Sequence, residues 1–389
     1  MNFFLSLKKK YSLFLAVLIF QIMSAQNIKE FQSNFPDSNY QKGVSGHFSG
    51  IFNDTYLMMA GGCNFPDLPP SEGGKKEFYK SIFIAKDFAE SKKLNWEKIG
   101  ELPEELAYGY GLQFGRSVII LGGENERIQS KKVFVLSLEN QKIKIENWPD
   151  LPETLNNFTA VIAQEFLYVL GGNKNGKASH SFLRLNLNKI QAGWEILPDF
   201  PGNPRTQAVA FSDEKNIYLA GGFALGYEEL PPSLNTDYLT FNLENQSWEN
   251  PQPIMIDSEK LSVGGGFAVN TDAETAYVSG GVNAEIFFKA LKRIHETNLL
   301  LKKEPKSPKI EENQKQGKIY LSQEASWYQF NPYLIKFKKG EIADFYLKDD
   351  RLRRAGASMV SFGNSIFVIM GEIKPGVRTP SILHIKLNQ

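Results

Sequence analysis

Leu167-Tyr-Val-Leu-Gly171-Gly172 is an apolar run that stops at a pair of glycines. The same pattern occurs upstream in Tyr56-Leu-Met-Met-Ala-Gly61-Gly62 and Val118-Ile-Ile-Leu-Gly122-Gly123. It returns in Ile217-Tyr-Leu-Ala-Gly221-Gly222, Ala276-Tyr-Val-Ser-Gly280-Gly281 and, varied, in Ile366-Phe-Val-Ile-Met-Gly371-Glu372. The runs are short and apolar, as strands of a packed repeat are. Glycine accepts the positive φ of a tight turn at the strand end.

A repeat of about 50 residues built on such a strand end predicts an all-β fold, a six-bladed kelch-type β-propeller. After each glycine pair come a polar loop, another strand, and then a segment with tryptophan and a proline corner. Trp96 precedes Leu102-Pro103, Trp148 precedes Leu151-Pro152, Trp194 precedes Phe200-Pro201, and Trp248 precedes Pro253. These indoles are expected between adjacent blades. In a propeller, binding residues gather in the loops around the central channel.

The 389 residues are 42% hydrophobic and 13% aromatic, enough to fill the cores between six blades. A net charge of +1 provides no basic surface for nucleic acid. Lys8-Lys9-Lys10, the apolar stretch 11–20 and the small residues Ser24-Ala25 read as a signal peptide over residues 1–25. Its removal deletes three lysines and no acid, so the mature charge becomes −2. A periplasmic protein without a membrane anchor is expected, with residues 26–389 as one propeller. The lone Cys63 forms no internal disulfide.

The last repeat lacks an outer strand, and Ile28 to Pro36 reads as that strand with its corner. The N-terminal segment is therefore expected to complete blade 6 and close the ring. The fifth repeat is longer by about 40 residues. Within this insertion, about 284–330, apolar residues at 286, 287, 290, 291 and 294 have a helical period. The charged stretch Lys302 to Lys318, which contains proline, is expected to be a flexible excursion. An insertion of this size either roofs the channel mouth or projects into solvent.

The four histidines fall in different repeats without ligand spacing, so neither a metal nor another cofactor is expected. The loop Gly371-Glu-Ile-Lys-Pro-Gly-Val-Arg-Thr379 is the most unusual in the chain. Glu372 is read here as standing where the repeat has its second glycine, and the Pro375-Gly376 turn brings Arg378 back beside it. Either the two form an ion pair that stabilises the loop, or an acid and a guanidinium face one cavity. Asn64, Lys75 and Lys76, in the long loop after Gly62, are candidate binding residues. Glu124 and Asn283, which follow other glycine pairs, are candidates too. Such groups on different blades converge on one axis, as recognition of a polar ligand requires.

The Gly371–Thr379 loop resembles the signature loop of the bacterial N-acetylneuraminate epimerases, the sialic acid mutarotases. Gly122-Gly-Glu-Asn-Glu, Leu106-Ala-Tyr-Gly-Tyr-Gly and Gly74-Lys-Lys followed by Phe78-Tyr79 also resemble segments of that family. The resemblance extends over about residues 40–389. The acid–arginine loop lies in the last repeat rather than mid-chain, as in a cyclically permuted branch. The resemblance implies a periplasmic six-bladed propeller that interconverts sugar anomers without a cofactor. It implies Glu372 and Arg378 as the catalytic pair, with Arg378 able to grip a sugar carboxylate. A non-catalytic glycan- or protein-binding module and a mutarotase for a neutral sugar are the competing readings.

Overall fold

Alternate residues of each central strand point into different cores. In blade 2, Val118 and Ile120 pack against blade 1, while Ile119 and Leu121 pack against blade 3. A strand with a neighbour on both faces has no polar side, which explains the unbroken apolar runs. The computed structural model describes residues 28–228 and 230–388. The expected signal peptide, residues 1–25, lies outside the described residues.

The architecture is a six-bladed β-propeller: each blade is built on an antiparallel four-stranded sheet, to which blades 1 and 4 add a short fifth strand. The innermost strands are Phe48–Phe52, Tyr110–Phe114, Thr159–Ala163, Val209–Ser212, Phe267–Asn270 and Ser358–Phe362. Six hydrophobic clusters fill the spaces between neighbouring blades. The tryptophans lie there as expected. Trp96 stacks on Phe35 at 4.8 Å, and Trp248 meets Phe182 of the preceding blade at 5.2 Å.

Blade 6 is closed by the N-terminal segment. Ile28–Glu30 pairs antiparallel with Ile382–Lys386, with Ile28 opposite Ile385 and Glu30 opposite Leu383. Gln32–Asn34 then crosses to blade 1 and runs parallel to Lys93–Glu101. Phe31 and Phe35 are buried in the core between blades 6 and 1. The segment thus supplies a missing strand and also staples two blades.

Blade 5 carries the insertion between its second and third strands, Thr275–Ser279 and Tyr333–Lys338. A first insertion helix, Ala284–Lys303, begins at the cap residue Asn283. The stretch expected to be a flexible excursion instead contains a second helix, Pro308–Leu321. Pro308 is its first residue, where the missing N–H costs nothing, so this proline starts a helix rather than breaking one. Ile310 and Asn313 are buried, and the Asn313 amide donates to Glu296 of the first helix at 2.8 Å. Among the described residues, no helix is long and apolar enough to cross a membrane.

Candidate active site

One residue from each blade builds a collar at the channel mouth: Gly46, Tyr108, Asn157, Gln207, Gly265 and Gly356. Each backbone N–H donates to the carbonyl of its counterpart in the preceding blade, and Gly46 donates to Gly356 to close the circle. The six N···O distances run from 2.6 to 2.9 Å. All six residues have positive φ, between 50° and 76°. Glycine takes this conformation freely; Tyr108, Asn157 and Gln207 take it at some cost, which the closed ring of hydrogen bonds offsets.

The residue after each glycine pair sits one step out from the collar. Cys63, Glu124, Asn173, Phe223 and Glu372 form backbone bridges to Ser45, Ala107, Asn156, Thr206 and Ala355. In blade 5, Val282 donates to Gly264 instead. This equivalence corrects the sequence reading of Glu372. It does not replace the second glycine, whose place belongs to Gly371 with φ 108°, matching Gly123 at 105°. The replaced glycine is the first of the pair: Met370 stands there with φ 50°, where Gly122 also has 50°. Glu372 and Glu124 are therefore counterparts in blades 6 and 2.

Glu372 and Arg378 face each other across a short hairpin of Glu372–Lys374 and Val377–Arg378. The Gly376 N–H donates to Glu372 Oε2 at 3.3 Å, and a Cβ at Gly376 would overlap Pro70 of the long blade 1 loop. Arg378 Nη1 makes an ion pair with Glu372 Oε2. The Arg378 side chain is 2% exposed, against 24% for Glu372. Arg378 Nη2 also donates to the Tyr108 hydroxyl at 3.3 Å, and the guanidinium lies 5.3 Å from the Phe65 ring. Burial works against the charge on Arg378, but Glu372, Tyr108 and Cys63 outweigh it and raise its pKa. Burial raises the Tyr108 phenol well above its ordinary value, helped by Cys63 and opposed by Arg378. The guanidinium is thus turned inward, and the carboxylate is the member of the pair that meets the cavity.

The other expected site residues divide into two groups. Lys76 Nζ lies 4.9 Å from the Tyr108 ring centre, on the rim of this site. Burial raises the Glu124 carboxyl, with Lys76 offsetting part of the effect, and Glu124 Oε2 accepts from Asn156 at 2.7 Å. The polar chain continues from Asn157 to Asn156 and from Gln207 to Asn157. Asn64, in contrast, is buried, with its amide on the Asn39 and Gly43 carbonyls and its oxygen accepting from Tyr79. Asn283 spends its side chain on the Ile286 N–H as a helix cap. Lys75 is exposed.

Two cavities meet at Glu372. The channel, about 380 Å³, is lined by the collar and the innermost strands. The second, about 470 Å³, lies beneath the insertion helices. Glu372, Gln207 and Ala355 border both. The Lys374 ammonium donates to the Gln323 carbonyl at 2.8 Å, tying the Glu372 loop to the insertion. The insertion thus roofs the mouth rather than projecting into solvent. Sequence reasoning missed Tyr108, Asn157, Gln207 and the helix residues Arg293 and Tyr320. The collar residues share a position two before each innermost strand but no residue type.

A family model described as N-acetylneuraminate epimerase matches residues 20–145 and 148–389. Curated relatives include N-acetylneuraminate epimerase 2 of Escherichia coli O6:H1, 27% identical over 238 residues, which is 61% of this chain and 60% of that protein. The N-acetylneuraminate epimerase of Shigella boydii serotype 4 matches to the same extent. That of Salmonella paratyphi B is 27% identical over 244 residues, 60% of this chain and 57% of its own length. The chain thus spans about three fifths of the length of these curated relatives.

Proposed function

The chain belongs to the N-acetylneuraminate epimerase family, and on that premise we propose that it is a mutarotase, interconverting the α and β anomers of free N-acetylneuraminate. The observation that carries this reading is the inward Arg378 holding the Glu372 carboxylate at the junction of two cavities. Mutarotation needs no redox change and no group donor. A base takes the proton of the anomeric hydroxyl while an acid protonates the ring oxygen. The anomeric carbon–ring oxygen bond breaks to leave an open-chain ketone, and the reverse steps close the ring on its other face.

Glu372 is the base of ring opening and returns the proton on closure. Arg378 does not bind sugar in this scheme; it fixes one carboxylate oxygen and leaves the other free. Glu124 is a fitting source of the second proton, because its burial favours the protonated form and it stands at the same level in blade 2. The basic and apolar start of the chain supports secretion to the periplasm.

The test is NMR of freshly dissolved N-acetylneuraminate, following anomer equilibration with and without the protein. Acceleration at a small fraction of the sugar concentration is expected. A shift of the anomer ratio that tracks protein concentration, with no change of rate, would make the protein a binding module instead. A neutral sugar run alongside separates the two substrate classes.

A further inference from the structure

We propose that Arg293, from the first insertion helix, receives the carboxylate of the sugar whose anomeric centre meets Glu372. The inference rests on the mutarotase reading and adds the group that selects an acidic substrate. The cation paired with Glu372, Arg378, is not free for this role, because its side chain is 2% exposed and already engaged, and the nearer Lys374 donates to the Gln323 carbonyl. An acidic sugar brought to Glu372 also meets a like charge, so a second cation must answer the substrate's own.

Arg293 lines the roofed cavity together with Glu372. Its guanidinium rests on the Tyr320 ring, 5.2 Å from the centre, which fixes the plane of the fork. Gly317 of the second helix lies opposite, where even an added Cβ would stand 4.0 Å from Arg293 Nε. Among the described residues, no carboxylate forms a salt bridge with Arg293. Much of the remaining wall is apolar, with Phe287, Phe330 and Pro375. An unpaired guanidinium in such a wall is a strong site for a carboxylate, since water competes poorly there. The two charges on the wall, Glu372 below and Arg293 above, set the direction of the sugar: anomeric hydroxyl towards the blades, carboxylate towards the helices.

The test compares N-acetylneuraminate with its methyl ester, in which the negative charge is masked. For Arg293→Ala, KM for the acid is expected to rise by about tenfold or more, the worth of a charge-assisted contact, with kcat changed little. KM for the ester should be the same in both proteins, and Arg293→Lys should fall between them for the acid. Equal discrimination of acid and ester by wild type and Arg293→Ala overturns the proposal. So does a loss of acid preference that follows Lys76→Ala instead. If the wild type accelerates neither sugar, the mutarotase reading fails on its own, and calorimetric titration decides the role of Arg293. Binding of the acid that is lost in Arg293→Ala then supports it, and equal or absent binding rejects it.

Discussion

The Tyr108 hydroxyl accepts a hydrogen bond from Arg378 Nη2 at 3.3 Å, although the two residues are 270 positions apart in the chain. Tyr108 belongs to the collar of blade 2, and Arg378 to the hairpin of blade 6. The contact therefore locks the Glu372 loop to the rigid part of the propeller. It also explains why a tyrosine is held at positive φ in the collar: only a long, rigid side chain reaches across from there.

Tyr108→Phe removes the acceptor and leaves a buried N–H of Arg378 without it. A loss of about 1–3 kcal/mol in stability is expected. Anomer exchange should also slow, because Glu372 loses part of the scaffold behind its partner. Chemical denaturation and NMR exchange measure the two effects separately. A variant equal to wild type in both would show that the contact carries no weight.

Glu372→Gln should reduce the exchange rate by about 100- to 10,000-fold, the usual worth of a proton-transfer group, while the sugar still binds. Arg378→Lys keeps a cation but loses the planar fork that spans Glu372 and Tyr108. It should lower the melting temperature and kcat together, with little change in KM. A selective rise in KM for acidic sugars would instead make Arg378 a substrate ligand, against the inward geometry found here.

Removing residues 28–36 deprives blade 6 of its outer strand and the adjoining core of Phe31 and Phe35. Each large side chain of this kind is worth roughly 3–5 kcal/mol when buried. Differential scanning calorimetry should show a fall in melting temperature far beyond that of an ordinary terminal trim. An unchanged melting temperature would mean that the ring holds without its closure.

Two buried histidines predict acid sensitivity. Burial lowers the pKa of His47 to about 3 and that of His384 to about 4. Unfolding restores an ordinary value of about 6.5, so the unfolded chain binds protons that the folded chain refuses. Their contribution to stability is complete above about pH 6.5 and is lost as pH falls from there through about 4 for His384 and about 3 for His47. His384 stacks on Phe367 at 4.7 Å, and its Nε2 lies 2.8 Å from Ser365 Oγ. Melting curves at pH 7 and pH 5 should differ less for His384→Gln than for wild type; an identical slope would exclude His384 as a source.

Replacing residues 284–328 by a short turn should leave the blade 5 sheet in place, since Thr275 still pairs with Lys338 and Ser279 with Leu334. The roofed cavity would disappear. Sugar turnover should fall sharply with little change in melting temperature, and retained turnover would reduce the insertion to a structural ornament.

The repeat made the blades readable because a strand buried on both faces has a one-sided composition. The closure by Ile28 was readable because blade 6 visibly lacked a strand. Glu372 stood out for a reason the structure revises: the irregular residue of its repeat is Met370, one step earlier in register. Pro308 misled because proline stops a helix only in its interior. The collar left no trace in composition, since its hydrogen bonds come from the backbone. Arg293 was hidden among the many charged residues of the insertion, and only the fold brings it over Glu372.

The collar has one further consequence. Its six hydrogen bonds follow one another head to tail around a circle, so their dipoles cancel across the opening. The aligned peptides of a helix end, by comparison, attract an ion of one sign. This rim attracts neither sign, so the polarity of a guest is judged by side chains alone. Substitutions on the overhanging loops can therefore retune which charge is welcome without disturbing the ring beneath them.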